Sequence, residues 1–295
     1  MTALRENACA VYHCHTSMDS DARRARFTEL HARAELFLLP NPWDIGSARL
    51  LASMGFEALA TTSQGFAWSL GRLDQEVSRD ELVAHAQELS AATDLPLNVD
   101  SERCYPDEPG GVAETVALLA EAGGAGFSVE DYDPATGKID DVGVAAARVA
   151  VAAEANRSLS TPMVLTGRAE NHIHGVDDLD DTMARLLAYR DAGADAVYAP
   201  GLKTIEQIAA VVDTLRCPVN VLAMPGTPPI AALAAAGVRR VSTGSSLAAR
   251  AYGGLVSSAA ALRDDGTAAY AEGGLSSDAV RAAFRSTREM TRDKA

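Results

Sequence analysis

Long apolar runs are absent from this chain of 295 residues. No stretch reaches the roughly 18 consecutive apolar residues that a membrane-spanning helix needs. The first 17 residues also lack the basic start and the apolar stretch of a secretory signal peptide. These absences argue against a membrane protein and against a secreted one. We therefore expect a cytoplasmic protein with no membrane partner.

Cysteine is scarce, and no two cysteines form a Cys-x-x-Cys pair. The chain contains four, at Cys9, Cys14, Cys104 and Cys217. This pattern argues against a disulfide framework and against a structural zinc site, and it is typical of a reducing compartment. The pair at positions 9 and 14 has neighbouring histidines, but it lies in a polar start without periodic pattern. We do not interpret it as a metal site.

Basic residues are outnumbered by acidic ones, 26 to 40, which gives a formal net charge of −14. No basic patch offsets this charge, so a nucleic-acid partner is not expected. An acidic protein can still bind an acidic small molecule, provided that a metal ion or a few arginines reverse the local field. The composition is therefore compatible with a carboxylate ligand.

Short apolar segments alternate with longer alanine-rich amphipathic segments from about Leu36 onward, and glycine often ends the longer ones. The alternation predicts parallel strands joined by helices, closed into a (β/α)₈ barrel. An open doubly wound sheet is the alternative, although no glycine-rich phosphate-binding motif follows the first strand. The eight predicted strands are 36–40, 57–62, 96–100, 126–130, 163–167, 195–198, 218–222 and 238–242. We expect a partly flexible N-terminal extension over residues 1–30, the barrel over 31–253 and a C-terminal helical extension over 254–295.

Acidic residues follow two neighbouring strands. Asp100 and Glu102 end the third strand, and Glu130 ends the fourth. Barrel active sites lie at the carboxyl ends of the strands, where bare carboxylates would repel one another. Magnesium prefers such oxygen ligands, and manganese is a possible substitute. The alternative is that these carboxylates cap helices or pair with arginines.

Polar residues near other strand ends are candidates for substrate binding. Arg168 follows the fifth strand and could hold a carboxylate with two N–H groups, although an ion pair with Glu170 or Glu130 is the alternative. Hydroxyl and backbone N–H groups of Thr62, Ser63, Gln64 and Gly65 could hold a second carboxylate. Asn220 lies on the seventh strand, and Trp43 could line the site or pack in the core.

These residues occur in motifs that resemble the isocitrate lyase/phosphoenolpyruvate mutase superfamily, chiefly its phosphoenolpyruvate-mutase-like branch. The resemblance covers about residues 37–252. It implies a barrel that binds magnesium through Asp100, Glu102 and Glu130 with Asp74 nearby, 2-oxo or 2-hydroxy acid ligands, and tetramers that exchange a C-terminal helix. The main motifs are Asn41-Pro-Trp-Asp-Ile-Gly-Ser-Ala-Arg49, Thr61-Thr-Ser-Gln-Gly65, Leu70-Gly-Arg-Leu-Asp74, Asn98-Val-Asp-Ser-Glu102, Val129-Glu-Asp131 and Gly167-Arg-Ala-Glu170.

Two segments depart from that superfamily. The isocitrate and methylisocitrate lyases carry Lys-Lys-Cys-Gly-His in the loop after the fourth strand, and the phosphonomutases carry a lysine–asparagine pair there. Residues 131–140 of this chain contain neither a cysteine nor a histidine. Arg103-Cys104-Tyr105 also stands where Gly-Tyr-Gly is usual. The departures argue against a reaction that depends on that loop cysteine.

Loss of CO₂ from a 2-oxo dicarboxylate needs the fewest catalytic groups in such a site, because the metal can take up the enolate charge. We expect a magnesium-dependent carbon–carbon lyase, oxaloacetate decarboxylase-like, in a homo-oligomer (dimer or tetramer). Candidate proton donors are Tyr105, Cys104 and His172, and Asp74 tunes or joins the metal site. The alternatives are a carbon–phosphorus mutase or hydrolase, in which Asp74 takes a more direct part, and a non-catalytic barrel that binds 2-oxo acids.

Overall fold

A computed structural model of the chain describes residues 17–285. Eight of its ten strands form one parallel sheet, in the order β1-β10-β9-β8-β7-β4-β3-β2. The strands are β1 (Phe37–Leu39), β2 (Leu59–Ala60), β3 (Leu97–Asp100), β4 (Gly126–Glu130), β5 (Tyr132–Asp133), β6 (Lys138–Ile139), β7 (Val164–Arg168), β8 (Ala196–Tyr198), β9 (Val219–Leu222) and β10 (Arg240–Ser242).

The two edges of the sheet meet, because the amide of Ala60 on β2 donates to the carbonyl oxygen of Pro40 after β1 at 3.1 Å. The sheet is thus a nearly closed barrel, and the (β/α)₈ fold predicted from the alternation is confirmed. The strands are apolar because helices cover their outer faces. The short antiparallel hairpin of β5 and β6 lies in the loop after β4 and was not predicted.

The helices surround the barrel and alternate with its strands. Gly193, which follows α7, has φ +112°, and a Cβ atom there would lie 2.8 Å from the Cβ of Ala153, so only glycine fits this helix end. The helices are α1 (Ser17–Ala32), α2 (Ile45–Ser53), α3 (Ser63–Ser69), α4 (Arg79–Ala92), α5 (Gly111–Glu121), α6 (Val142–Arg157), α7 (Leu179–Asp191), α8 (Ile205–Leu215), α9 (Ile230–Ala235), α10 (Ser246–Asp265) and α11 (Ser277–Phe284), with a 3₁₀ helix at Ala269–Ala271.

Helix α1 covers the amino-terminal ends of the strands. Phe27 is fully buried and packs with Phe37 at the start of β1 and Val164 at the start of β7. Arg24 donates to the carbonyl oxygen of Ala120 at 2.6 Å. The boundary expected at residue 30 therefore falls inside a helix that packs against the barrel. The part of the expected extension before residue 17, including Cys9 and Cys14, lies outside the described residues.

The C-terminal segment continues the last barrel helix. Helix α10 runs without a break across the boundary expected at residue 253, and Leu255 and Val256 on it are 64% and 68% exposed. Helix α11 packs on α2, where Arg49 donates to the carbonyl oxygen of Phe284 at 3.4 Å. Residues 286–295, which the sequence assigned to the same C-terminal extension, lie outside the described residues. Within residues 17–285, none of the helices combines the length and the apolarity needed to cross a bilayer.

Candidate active site

A cavity of about 420 Å³ opens at the carboxyl ends of the barrel strands. Its walls come from all eight strands or from the residues that follow them, which is the position of active sites in this fold. The strand residues that line it include Leu39, Ala60, Asp100, Glu130, Arg168, Tyr198, Leu222 and Ser242.

Arg168 lies among three carboxylates at the end of β7. Its Nη1 atom is 3.2 Å from Oδ1 of Asp100 and 3.3 Å from Oε2 of Glu130. Its Nε atom donates to Oε1 of Glu170, and its guanidinium lies over the Tyr198 ring, 5.2 Å from the centroid. Ion pairs with Glu130 and Glu170, considered from the sequence as the alternative to substrate binding, are both present.

The pKa values of Glu130, Glu102 and Asp74 are raised. Burial raises the pKa of Glu130 well above its usual range, and Glu170 and Asp100 raise it further. Burial, with the charges of Asp100 and Asp74, raises the pKa of Glu102 to about 8. Burial and then Asp100 raise the pKa of Asp74. The cavity thus concentrates more negative charge than its groups tolerate when fully ionised.

Glu102 lies beside the cavity rather than in its lining. It has φ +51°, an uncommon conformation for a residue with a Cβ atom. Its carbonyl oxygen accepts a hydrogen bond from the amide of Glu130 at 2.9 Å. The side chain is buried at 7% exposure. Besides burial, the negative charges of Asp100 and Asp74 raise its pKa.

The carboxylates suit a hard divalent cation, although they do not enclose one. Among residues 17–285, no three histidine, cysteine, aspartate or glutamate side chains lie close enough to hold an ion directly. The donors are nevertheless carboxylate oxygens, and magnesium characteristically retains several water ligands. A divalent cation would also relieve the repulsion from Asp100 and Asp74, which together with burial, the larger cause, raises the pKa of Glu102. The donor set therefore fits magnesium bound partly through water.

The segment Thr62–Gly65 is the start of α3. Thr62, Ser63 and Gln64 line the cavity, and the amide of Ser63 donates to Oδ2 of Asp100 at 3.2 Å. Gly65 does not line it, and an added Cβ atom there would lie 2.6 Å from the Thr62 side chain and 3.2 Å from Cβ of Trp43. Trp43 therefore packs beneath this turn, outside the cavity lining.

The floor of the cavity is polar. Asn220, expected to bind substrate, accepts a hydrogen bond from Nε of Arg240 at 2.9 Å and donates to Oγ of Ser242 at 2.9 Å. Arg240 and Asn98 also line the cavity, and our reading of the sequence missed both. The sequence contains a signal for Arg240, because Arg240 and the polar Ser242 are two residues apart on one strand and therefore face the same side.

The candidate proton donors named from the sequence do not line the cavity. The Tyr105 hydroxyl donates to the carbonyl oxygen of Val77 at 3.1 Å, and Cys104 is fully buried in the core. The side chain of His172 points away, with Nδ1 3.1 Å from Asp177. His174 does line the cavity and stacks on Tyr132 with ring centroids 3.7 Å apart.

The loop after β4 is held by arginines from three directions. Arg103 pairs with Asp133 at 3.0 Å and with Asp140 at 3.1 Å, at the two ends of the β5–β6 hairpin. Arg148 pairs with Asp140 at 2.5 Å, and Arg185 donates to the carbonyl oxygen of Asp140 at 2.7 Å. The hairpin is thus clamped to the barrel.

Comparison with known proteins agrees with this architecture. The family model described as phosphoenolpyruvate phosphomutase matches residues 27–263. A crystal structure from Burkholderia cenocepacia J2315, provisionally described as a lyase/mutase, is 44% identical with a TM-score of 0.88, and the match covers 92% of this chain and 98% of that chain.

Two curated relatives are less similar. An uncharacterized protein of Mycobacterium tuberculosis (strain ATCC 25618 / H37Rv) is 36% identical over 74% of this chain and 81% of its own length. The oxaloacetate decarboxylase of Paraburkholderia xenovorans (strain LB400) is 31% identical over 70% of this chain and 69% of its own length. Since the family model spans most of the barrel that carries the site, the chain belongs to the phosphoenolpyruvate phosphomutase family of the phosphoenolpyruvate mutase/isocitrate lyase superfamily, a group of lyases and mutases.

Proposed function

We propose that the protein is a magnesium-dependent carbon–carbon lyase that acts on a small 2-oxo (or 2-hydroxy) dicarboxylate through an enolate, with oxaloacetate decarboxylation as the simplest case. The observation that carries the proposal is the grouping of Asp100, Glu130 and Arg168 in one cavity at the carboxyl end of the barrel. The similarity to an oxaloacetate decarboxylase over 70% of the chain supports the choice of reaction.

The lack of the loop cysteine found in isocitrate and methylisocitrate lyases favours decarboxylation over cleavage of a 2-hydroxy acid. That cleavage needs a base to deprotonate the hydroxyl group and an acid to protonate the enolate. Among the described residues, the cavity lining includes neither cysteine nor lysine, and the loop after β4 lacks the cysteine motif that isocitrate and methylisocitrate lyases carry there. Loss of CO₂ needs a site for the enolate charge and one proton.

Magnesium, or manganese in its place, would be held by Asp100, Glu102 and Glu130, with Asp74 beside them. When bound, the ion supplies a Lewis acid for the negative charge that develops on the 2-oxo oxygen. The chain's own contribution is to keep these carboxylates together. The Ser63 amide donates to Asp100 at 3.2 Å, and Nε2 of Gln75 donates to Glu130 at 3.0 Å.

In the reaction, the bond between C3 and the departing carboxylate breaks, its electron pair enters the enolate, and C3 then takes a proton. Glu170 and His174 can hold that proton at the cavity wall, since Oε2 of Glu170 is 3.8 Å from Nε2 of His174. Burial raises the pKa of Glu170 above its usual range, which favours the protonated form of this group. Arg168 attracts the substrate's carboxylates into the cavity.

A carbon–phosphorus reaction on phosphonopyruvate or phosphoenolpyruvate is the second candidate. One observation favours it: Asp74 lines the cavity and interacts with Asp100 and Ser63, so it can take part in the chemistry directly. The description of the matching family model names a reaction of this class. A barrel that binds 2-oxo acids without turnover is the third.

One experiment separates these candidates. The purified protein is incubated with magnesium and oxaloacetate, and in parallel with magnesium and phosphonopyruvate, while pyruvate and phosphate are measured. We expect pyruvate from oxaloacetate above the rate of a buffer control with the same magnesium. Phosphate or phosphoenolpyruvate from phosphonopyruvate would instead establish the carbon–phosphorus reaction. No turnover together with ligand-induced thermal stabilisation would favour the binding role or a substrate other than these two.

Site variants test the metal assignment. Asp100→Asn and Glu130→Gln keep the size of each side chain and remove its charge, so we expect folded proteins that lose at least about a hundredfold in kcat/KM, a loss of about 2.7 kcal/mol in transition-state stabilisation. Arg79→Met, which changes a half-buried arginine outside the cavity, serves as the control. Unchanged turnover in both carboxylate variants would remove the metal site from the proposal.

We also propose that the protein is a cytoplasmic homo-oligomer, a dimer or a tetramer. Leu255 and Val256 project from α10 with about two thirds of their surface exposed, at 64% and 68%. Adjacent exposed apolar side chains are typical of a surface that another subunit covers. Exchange of the C-terminal helix between subunits, which the resemblance implies, would cover them.

A further inference from the structure

The cavity floor contains a buried cation whose hydrogen-bond partners are all neutral. Arg240 on β10 is 3% exposed. Its Nε donates to Oδ1 of Asn220 at 2.9 Å, and its Nη2 donates to Oγ1 of Thr166 at 3.0 Å. Its Nη1 lies 3.1 Å from Nε2 of His31. The guanidinium is thus fixed in place by partners that carry no negative charge.

The histidine partner is an acceptor. Nδ1 of His31 lies 2.8 Å from the carbonyl oxygen of Phe27, so this nitrogen carries the proton and Nε2 presents its lone pair to Arg240. Burial and the charge of Arg240 lower the pKa of His31 to about 3. His31 is therefore neutral at pH 7, and the positive charge belongs to Arg240 alone.

The contrast with Arg168 shows what Arg240 lacks. Arg168 contacts three carboxylates, whereas Arg240 forms no ion pair with any residue in the range 17–285. Burial lowers the pKa of Arg240 to about 10, which still leaves it charged at pH 7. A buried charge without a counter-charge is costly, and two of its five N–H groups remain without a described acceptor.

Arg240 belongs to the same cavity as Arg168. Arg168, Tyr198, Asn220 and Arg240 are paired in succession across four neighbouring strands. All four residues line the same cavity. Asn98 on the opposite side of the floor also has a buried side-chain oxygen with no hydrogen-bond partner in the described structure. The floor therefore has unused hydrogen-bonding capacity on two sides.

We propose that Arg240, positioned by Asn220 and Thr166, forms an anion subsite on the cavity floor that binds the substrate carboxylate retained in the product. The departing carboxylate is the poorer candidate, because a cation bound to it would stabilise the reactant as that charge disappears and would slow the cleavage. The inference rests on the proposed function in its choice of a 2-oxo acid. The subsite itself can be measured without turnover.

The test compares the natural protein with Arg240→Met and Arg240→Lys. Isothermal titration with oxalate and with pyruvate, in the presence of magnesium, measures binding, and Arg79→Met is the matched control. Arg240→Met should fold, because an apolar side chain of similar length replaces an unpaired buried charge. We expect its affinity for both ligands to fall about ten- to hundredfold, as expected for the loss of a charge-assisted hydrogen bond. Arg240→Lys should recover part of the loss.

Kinetics give a second readout if oxaloacetate is turned over. A carboxylate that keeps its charge throughout the reaction is bound equally in the ground and transition states, so Arg240→Met should raise KM and leave kcat nearly unchanged. Unchanged oxalate and pyruvate affinities in Arg240→Met overturn the subsite, as does a natural protein that binds neither ligand. Inorganic phosphate that binds as tightly as oxalate, with the same dependence on Arg240, overturns its assignment to a carboxylate. Absent turnover with intact, Arg240-dependent binding refutes only the proposed reaction.

Discussion

The buried histidine beneath the barrel makes the stability of the fold depend on pH. His31 is 7% exposed and packs edge-on against Phe27 and Phe37, with ring centroids 4.6 and 5.1 Å away. Its other neighbour is the positive charge of Arg240, and burial and that charge lower its pKa from 6.5 to about 3. In the unfolded chain the same side chain takes up a proton near pH 6.5.

The unfolded and folded states differ in proton uptake, and this difference determines how acid changes the free energy of unfolding. Between pH 6.5 and about 3 the unfolded state binds a proton at His31 and the folded state does not, so acidification favours unfolding. From pH 7.5 to pH 5.0 the free energy of unfolding should fall by about 2 kcal/mol on account of this residue. The crowded carboxyl groups of the cavity act in the opposite direction, since their raised pKa values favour the folded state at lower pH.

A variant isolates the histidine from these other groups. His31→Gln removes the titrating group and retains an acceptor for Arg240. Urea unfolding of both proteins at pH 7.5 and 5.0 gives four free energies, and the loss on acidification should be about 2 kcal/mol smaller in the variant. Packing lost in the variant is the same at both pH values and cancels in this difference. Equal losses in the two proteins would show that His31 is protonated in the folded state, contrary to our reasoning.

Two further outcomes are expected. Protons compete with a cation for carboxylates of raised pKa, so the rise in Tm caused by magnesium should increase from pH 6 to pH 9 in a thermal-shift series. The variant Glu102→Gln lacks the group of pKa about 8, so this increase should be smaller in it. A magnesium effect that is the same at every pH contradicts the assignment of Glu102. Replacement of Leu255 and Val256 on α10 by serine should lower the oligomeric state in sedimentation-velocity experiments, with the exposed Leu73→Ser as control; an unchanged state would place the subunit contact elsewhere.

The order of strands and helices could be predicted because each strand is covered on its outer face and therefore apolar along its length. The positions of Asp100 and Glu130 followed from the same pattern, since both come at the end of a strand that the pattern locates. The β5–β6 hairpin could not be predicted, because its strands have two residues each and no periodic signal.

The side-chain directions in the turn after β3 were harder to predict. Glu102, Cys104 and Tyr105 have positive φ values of 51°, 62° and 47°, and these reverse the direction of the side chains that follow β3. Tyr105 thus reaches Val77 instead of the cavity. Arg240 was missed for a different reason. It adjoins Arg239, and two consecutive arginines suggest a surface, although alternation along β10 directs one of them into the barrel.

The clamp on the β5–β6 hairpin has a consequence for the exchange of loops between relatives. Arg103 belongs to one of the two segments that depart from the superfamily pattern, and its partners Asp133 and Asp140 belong to the other. The two departing segments are thus joined to each other by ion pairs. A chimera whose loop after β4 lacked these two acids would leave the half-buried guanidinium of Arg103 without them. An exchange of the loop after β4 therefore has to keep these acids or transfer the turn after β3 along with the loop.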